Sequence, residues 1–292
     1  FKKPMPRYDE YSKITQVAIR SADKAFVSEE KLQQEWQPLR FHSKPELNEA
    51  VLEYAGFLDL LAGQGTDIVA LDQADNLTID SIYTRDSILV SPEGLILCNM
   101  GRGSRTPEAA INARAYEALG HKIAGQITAP GTLEGGDFIW LDQTHAAVGL
   151  GPRTNADGIR QLKDILGPDI ELHIVPLPEP NHPDDVLHLM SIISPLDQDL
   201  ALIYRPFMPR SFIAWLEQLG IQFVEVPDDE YEIMGCNVLA IAPRQAIMLE
   251  NLPGVKTGLE NAGVNVATYK GIEISRKGEG GPTCLTRPLE RC

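Results

Sequence analysis

Ser87-Ile88-Leu89-Val90-Ser91-Pro92-Glu93-Gly94-Leu95-Ile96-Leu97-Cys98 is two short apolar runs around a type I turn sequence, with proline second and glycine fourth in the turn. It predicts a hairpin with strands over 87–90 and 95–98. A helix follows: Thr106 is its expected cap, Pro107 lies in its first turn, and Ile111, Ala115, Ala118 and Leu119 form its expected apolar face before Gly120 stops it. Residues 122–128 then read as a third strand. Strand, strand, helix, strand is the unit whose recurrence decides the fold.

The unit recurs three times downstream, with a period of about fifty residues. Residues 138–141 and 146–150 pair around Asp142-Gln143-Thr144; a helix capped by Thr154 turns Ile159, Leu162, Ile165 and Leu166 inward, and 170–177 follows. Strands over 186–194 and 199–204 come next, with a helix from Pro209 carrying Phe212, Trp215, Leu216 and Leu219 to Gly220, then 221–226. The last of these units has strands over 237–242 and 246–250, a helix near 255–262, and 264–269. Upstream, 16–19 is a strand, Ser43-Lys44-Pro45-Glu46 reads as a capping box, and Leu47, Val51, Tyr54, Leu58 and Leu61 mark a helix before a strand over 67–70. That fifth unit lacks one strand, which 283–286 can supply from the other end of the chain. The expected fold is therefore α/β: a five-bladed α/β propeller of five pseudo-repeated strand-strand-helix-strand units, one domain over 1–292, with strands inside, helices outside and no free sheet edge. The alternative is an open α/β sheet.

The 292 residues are 43% hydrophobic and carry a net charge of −15. Such a chain repels phosphate backbones and anionic lipid, and it has no run of lysine and arginine to act as a local exception, so neither nucleic acid nor a membrane is an expected partner. The start, Phe1-Lys2-Lys3-Pro4-Met5-Pro6, leads into polar Tyr8-Asp9-Glu10 without a signal-peptide core, and no apolar run approaches the ~20 residues of a membrane helix. Cys98, Cys236, Cys284 and Cys292 form no CxxC, which suits reduced thiols and a cytoplasmic location.

In a closed ring the loops at one end converge on the axis, so polar residues recurring there are site candidates. Four segments qualify: Asp80-Ser81-Ile82-Tyr83-Thr84-Arg85-Asp86, Gly131-Thr132-Leu133-Glu134-Gly135-Gly136-Asp137, Asp185-Val186-Leu187-His188 and Gly280-Gly281-Pro282-Thr283-Cys284. Each precedes or opens an inner strand. Taken singly, Asp86 and Glu134 read as solvated loop carboxylates, His188 as a core histidine and Cys284 as a small buried hydrophobe. Recurrence at equivalent places favours a site, and the glycine pair before Cys284 lets the backbone approach a ligand. A metal held by His182, Asp185 and His188 fits poorly, because a strand would set the two histidines about 20 Å apart and Pro183 interrupts it. A cysteine-peptidase arrangement would put its nucleophile on a strand rather than at a helix N-terminus.

Together these segments, with Arg153-Thr154-Asn155-Ala156-Asp157-Gly158, Leu187-His188-Leu189 and Cys236-Asn237-Val238-Leu239, resemble the guanidino-group-modifying superfamily. That superfamily contains dimethylarginine dimethylaminohydrolases, arginine deiminases and amidinotransferases on a five-bladed propeller, and the resemblance spans nearly the whole chain. The length has no room for the extra helical domain of bacterial arginine deiminases, which favours the dimethylargininase branch. Two features depart from it: Met190 stands where deiminases and amidinotransferases place an aspartate, and Arg85 stands where dimethylargininases place a glutamate.

The resemblance implies a hydrolase that cleaves a carbon-nitrogen bond of arginine, a methylated arginine or a related guanidino compound, with citrulline or another ureido product. Paired carboxylates suit a planar guanidinium, which they hold by charge-assisted hydrogen bonds. Asp86 and Glu134 are the expected anchors, Cys284 the nucleophile that forms a thiouronium adduct, and His188 the acid and base. By the same resemblance Asp80 binds the substrate's amino end and Arg105 and Arg153 its carboxylate, with Arg85 and Asp137 counted among the substrate-binding groups. No metal or cofactor is expected, the partner is a small guanidino molecule, and a homodimer is left open. An amidinotransferase, with the polar segment 21–37 shaping an acceptor site or lid, is the alternative. A non-catalytic guanidino-binding protein is the third reading.

Overall fold

The computed structural model describes residues 5–179, 182, 185 and 187–292. In the first unit β1 (Ile14–Ile19) leads through helices α1 (Ala22–Phe26), α2 (Glu29–Glu35) and α3 (Leu47–Ala62) to β2 (Asp67–Ala70). The second is β3 (Ile88–Ser91), β4 (Gly94–Leu97), α4 (Glu108–Ala118) and β5 (Ile123–Gln126). The third is β6 (Phe138–Trp140), β7 (His145–Leu150), α5 (Ala156–Leu166) and β8 (Glu171–Pro176). The fourth is β9 (Ile193–Asp197), β10 (Leu200–Ile203), α6 (Arg210–Gln218) and β11 (Gln222–Glu225), followed by the short α7 (Asp228–Tyr231). The fifth is β12 (Leu239–Ala242), β13 (Gln245–Leu249), α8 (Pro253–Asn261) and β14 (Asn265–Tyr269), and β15 (Arg287–Arg291) ends the chain.

These strands make five separate three-stranded sheets. In each, the first strand runs antiparallel to the second, and the second runs parallel to the third across a helical crossover, as in β3-β4-β5. β15 closes the ring by pairing antiparallel with β1, Val17 opposite Pro288 and Ala18 opposite Arg287. Burial separates inside from outside. β3, β6, β9, β12 and β15 are buried almost throughout, whereas β2, β5, β8, β11 and β14 are mostly half-buried or exposed. Strands covered on both faces read as near-continuous apolar runs, as β3, β6 and β12 do, whereas β15 buries Arg287 and Arg291. Among the described residues no helix is long and apolar enough to cross a membrane.

Several local expectations shift. Residues 283–286 are a helical turn rather than a strand: the Leu285 N–H donates to Gly281 O at 3.1 Å and the Thr286 hydroxyl to Pro282 O at 2.9 Å. Threonine favours strands, but here its hydroxyl bonds back to the preceding turn, and the closing strand begins at Arg287. Residues 187–194 likewise hold a 3-10 turn, Leu189–Ser191, before β9 begins at Ile193, because the Ser191 hydroxyl takes the His188 N–H at 3.1 Å; Val186, where that strand was expected to start, lies outside the described residues. Asn155 rather than Thr154 caps α5, accepting from Gly158 N at 2.8 Å. Thr106 gives way to Pro107 at the start of α4, and the Ser43–Glu46 box is replaced by Glu29 and Glu273, which accept from Leu47 N and Glu46 N at 3.1 and 2.7 Å. Val51 of α3 is exposed.

The face that α4 buries is also rotated. Glu108, Ala109, Asn112, Ala113 and Tyr116 point inward, while Leu119 is 54% exposed. Two polar residues occupy core positions because each serves a buried arginine: Glu108 holds Arg105, and the Asn112 Oδ1 accepts from Arg20 Nη2 at 2.7 Å.

Candidate active site

Each unit places polar residues immediately before its inner strand. Asp80 and Asp86 precede β3, Glu134 and Asp137 precede β6, His188 precedes β9, Asn237 precedes β12 and Cys284 precedes β15. Short 3-10 turns at Ile79–Ile82, Thr84–Ser87 and Gly135–Asp137 carry Asp80, Asp86 and Asp137, and Glu134 and His188 immediately precede the turns at Gly135–Asp137 and Leu189–Ser191.

Cys284 sits in the 281–286 turn. The Asn237 side chain spans that turn, its Nδ2 donating to Cys284 Sγ at 3.2 Å and its Oδ1 accepting from Thr283 N at 3.0 Å. The Arg85 N–H donates to Cys284 O at 3.2 Å. A Cβ on Gly281 would strike the Asn237 side chain and one on Gly280 the Tyr83 ring, so both glycines are required by close approach. Burial, with the Asp86 carboxylate second, pushes the Cys284 thiol up to about 11; the Asn237 and Gly281 N–H groups and Arg85 offset part of this. The resting group at neutral pH is a thiol.

His188 is buried with its Nε2 on Glu134 Oε2 at 2.7 Å and its Nδ1 3.9 Å from Asp86 Oδ1. Burial opposes the imidazolium, but Asp86, Asp137 and Glu134 outweigh it and raise His188 to about 9. Glu134 is fully buried. Burial works against its charge too, yet His188 and Arg153 hold it down at about 2, and the Arg102 N–H adds a bond to Oε1 at 2.9 Å. Gly136 makes room for this cluster, since a Cβ there would lie 2.5 Å from His188 Nδ1 and 2.9 Å from Asp86 Oδ1.

Asp137 accepts from the Thr154 hydroxyl at 2.6 Å and from Leu189 N at 3.0 Å, so it pins the turn that carries His188. Burial raises its carboxyl to about 6. Asp86 takes the Gly136 N–H at 3.0 Å on Oδ1 and Arg105 Nη1 at 2.6 Å on Oδ2. Arg105 is buried: Glu108 grips it through Nε and Nη2, both at 2.8 Å, and its Nη2 also reaches Tyr83 O at 2.7 Å. It braces Asp86, and its Nε, its Nη2 and one bond of its Nη1 go to groups within the protein. Arg85 borders the same cavity as Cys284, and its guanidinium is engaged within the protein, with Nε on Thr283 O at 3.0 Å and Nη1 on Glu10 Oε2 at 3.2 Å.

Cys284, His188 and Glu279 lie where two lobes of one cavity meet. The smaller, about 20 Å³, is lined by Asp80, Asp86, Arg102, Arg105 and Arg153. Arg102 Nη1 stands 3.3 Å from Asp80 Oδ2, and its Nη2 donates to Leu39 O at 2.7 Å. Burial raises the Asp80 carboxyl, offset by Arg102, Arg105 and Arg153. The larger, about 350 Å³, is lined by Met190, Tyr231, Ile233, Met234, Asn237 and Arg276 among others. Glu134 and Asp137 line neither. Helices α1 and α2 of the 21–37 segment pack against the core through Ala22, Ala25, Phe26 and Leu32 and line neither lobe.

Asp86, Glu134 and His188 each bring one ligand-type atom within 4.8 Å of the others, which is a cation's geometry. The positive charge those carboxylates need is already supplied by Arg105, Arg153 and the imidazolium. Asp185 instead pairs with Arg40 at 3.1 Å and accepts from His182 N at 2.9 Å. Sequence reasoning missed Arg102 and Glu108, and it quoted Asn237 in the Cys236–Leu239 motif without giving it a role. Asn237 was findable as the fifth residue in the recurring place before an inner strand, and Arg102 stood between two glycines in the loop that Arg105 shares.

A ring of five units with cysteine, histidine and carboxylates at one end of its axis is the fold, and the matched family model together with the sequence relatives gives the class: this is a member of the pentein, or guanidino-group-modifying, superfamily. More narrowly, the family model described as N,N dimethylarginine dimethylhydrolase, eukaryotic, matches residues 22–291, and the chain belongs to that family. The N(G),N(G)-dimethylarginine dimethylaminohydrolase of Streptomyces coelicolor is 27% identical over 237 residues, covering 81% of this chain and 84% of that one. The structure of the Pseudomonas aeruginosa enzyme of that name, complexed with citrulline, superposes with a TM-score of 0.74 at 21% identity, over 94% of this chain and 98% of that one. SxtG, an amidinotransferase from Microseira wollei, gives a TM-score of 0.78 at 17% identity over 99% and 98% of the two chains.

Proposed function

We propose that this protein hydrolyses a guanidinium carbon-nitrogen bond in arginine, a methylated arginine or a related guanidino amino acid, through a covalent adduct on Cys284. The observation that carries this is the meeting of Cys284 and His188 at the junction of two lobes, one charged and small, the other large and less charged. In the small lobe Asp80 takes the substrate's ammonium and Arg102 with Arg153 its carboxylate. Asp86 faces the guanidinium, which lies beside Cys284.

That cation lowers the raised thiol and releases its proton to solvent. Sγ then bonds to the guanidinium carbon, and the carbon-nitrogen bond to the departing amine breaks as His188 gives that amine its proton. His188, now neutral, takes a proton from water. The hydroxide adds to the thiouronium carbon, the carbon-sulfur bond breaks with its electron pair going to Sγ, the hydroxyl proton passes to that sulfur to restore the thiol, and a neutral ureido product leaves. Glu134 and Asp137 act as positioning residues that charge and orient His188.

Met190 gives the large lobe, which Cys284 also lines, an apolar wall, and this suits alkyl groups on the leaving amine better than a second carboxylate would. The same lobe supports an amidinotransferase reading, since about 350 Å³ seats an acceptor amine in place of water. Product mass spectrometry decides between them. Arginine, mono- and dimethylarginines, agmatine and guanidino acids are incubated with and without amine acceptors, using the wild type beside Cys284→Ser. A ureido product from wild type alone supports the hydrolase; a new guanidino product that requires an acceptor supports the transferase; no turnover by a folded wild type overturns both.

A further inference from the structure

Four of the five places before an inner strand have a part in the proposed reaction; the fifth holds Asn237. It is 8% exposed and lines the large lobe with Cys284. The Thr283 N–H settles which end of its amide faces the sulfur. That group can only donate, and it lies 3.0 Å from one end, so this end is Oδ1 and the NH2 end is the one 3.2 Å from Cys284 Sγ.

The amide is held in place from several sides. The Asn237 N–H donates to Met234 O at 3.0 Å, and Ser194 of β9 clamps both neighbours, its hydroxyl donating to Cys236 O at 2.7 Å and accepting from Val238 N at 3.3 Å. Gly281 leaves the space the amide fills, since a Cβ there would lie 2.4 Å from Asn237 Cγ. A donor fixed in this way needs no rearrangement when charge arrives.

The sulfur has need of it. Burial and then Asp86 oppose a negative charge on Sγ, Arg85 favours it, the buried Tyr83 and Tyr269 hydroxyls stay neutral, and His188 and Glu279 line the cavity with it. Arg85 spends Nε and Nη1 on Thr283 O and Glu10, and His188 turns Nε2 to Glu134. Asn237 supplies the side-chain hydrogen bond to Sγ itself. In the proposed reaction Sγ carries negative charge twice: when it attacks the guanidinium carbon, and when the carbon-sulfur bond breaks and its electron pair returns. In the thiouronium between these steps that pair is shared with a cationic carbon, so the N–H bond is worth more in the two transition states than in the adduct.

Resting on that reading of the reaction, we propose that Asn237 is a further catalytic residue, its Nδ2 N–H holding Sγ as a thiolate in the attack and again in the release of product.

The test uses the whole protein with Asn237→Asp, which keeps an acceptor for the Thr283 N–H and turns a carboxylate oxygen toward Sγ, and Asn237→Ala, which removes donor and acceptor together. Iodoacetamide labelling of the Cys284 peptide at about pH 8, read by mass spectrometry, needs no substrate. It should slow about three- to tenfold in both variants, as a thiol made about one pH unit harder to ionise would. For a guanidino substrate kcat should fall about a hundredfold in both, the size that loss of one fixed donor costs, with KM within about threefold, and adduct formation and decay should both slow. A spacer role predicts instead that Asn237→Asp, with the Thr283 bond intact, labels and turns over like wild type while Asn237→Ala does not. That result overturns the proposal, as does unchanged labelling in both variants. Slower labelling in both, beside a wild type that turns over no guanidino compound, supports the thiolate contact and overturns the hydrolysis. If Asn237→Ala fails to fold, Asn237→Asp decides by the same readings.

Discussion

The two parts of the central axis are built from the same five inner strands and differ in what surrounds what: carboxylates balanced by Arg102, Arg105 and Arg153 in one, arginines around a glutamate in the other. Where the strands begin, Asp80, Asp86, Glu134 and Asp137 surround His188 and Cys284; further along, Arg85, Arg287 and Arg291 surround Glu10. The first set rides on turns that precede the strands and borders an open cavity. The second is woven into β15 and the turn before β3, and its visible bonds go mostly to backbone carbonyls. The difference teaches that burial and charge alone do not mark a site. What marks it is a polar group on a turn with room beside it for a ligand.

The comparison breaks most visibly at Cys284. Cys284→Ser should lower kcat by roughly a thousandfold or more while the melting temperature stays close to wild type, because the turn is held by Asn237 and Arg85 through groups that serine keeps. Steady-state kinetics and circular dichroism melting check this. Next, Arg102→Leu should raise KM for a guanidino amino acid by about 10- to 100-fold with kcat within a few-fold, and agmatine, which lacks the carboxylate, should not share the loss. Equal loss for both substrates would move Arg102 out of the binding role.

A third effect concerns protons. Cys284 should alkylate with an apparent pKa near 11, moving down when a non-reactive guanidino ligand is present. On the His188 side, a folded value raised from 6.5 to about 9 contributes stability that is complete below about pH 6.5 and lost as pH rises through 9. Glu134, lowered from 4.5 to about 2, contributes above pH 4.5 and loses that as pH falls through 2. Urea midpoints should therefore drop between pH 7 and 10 in the wild type and drop less in His188→Gln. The smallest effect belongs to the basic cluster: Arg287→Met should cost about 1–3 kcal/mol in urea unfolding by leaving Arg85 O without its two donors, with kcat changed less than threefold. A large kcat loss there would erase the distinction between the two clusters.

The ring itself was legible because its unit repeats. The hairpin through Ser91-Pro92-Glu93-Gly94 and the helix stops at Gly120 and Gly220, both with positive φ, set its rhythm. Site residues were legible for the same reason, since Asp86, Glu134, His188 and Cys284 fall at the same place in successive units. Local turn chemistry was not. Thr283-Cys284-Leu285-Thr286 has a strand's composition, and the bonds that make it a turn, Leu285 N–H to Gly281 O and the Thr286 hydroxyl to Pro282 O, show only in the structure. The α4 face was misplaced because Glu108 and Asn112 look like surface residues until Arg105 and Arg20 are seen beneath them. Arg105 shows the remaining limit: its place in the sequence suggests a hand for substrate, whereas Glu108, Asp86 and Tyr83 O already occupy it.

The most direct test of the account is the mass of the protein itself during turnover. Wild type acid-quenched within the first few turnovers of a guanidino substrate should carry a covalent amidino adduct on the peptide containing Cys284, which decays as ureido product appears, and Cys284→Ser should show neither adduct nor product. Turnover with Cys284 unmodified at every time point, or an adduct on Cys98, Cys236 or Cys292 instead, would contradict it.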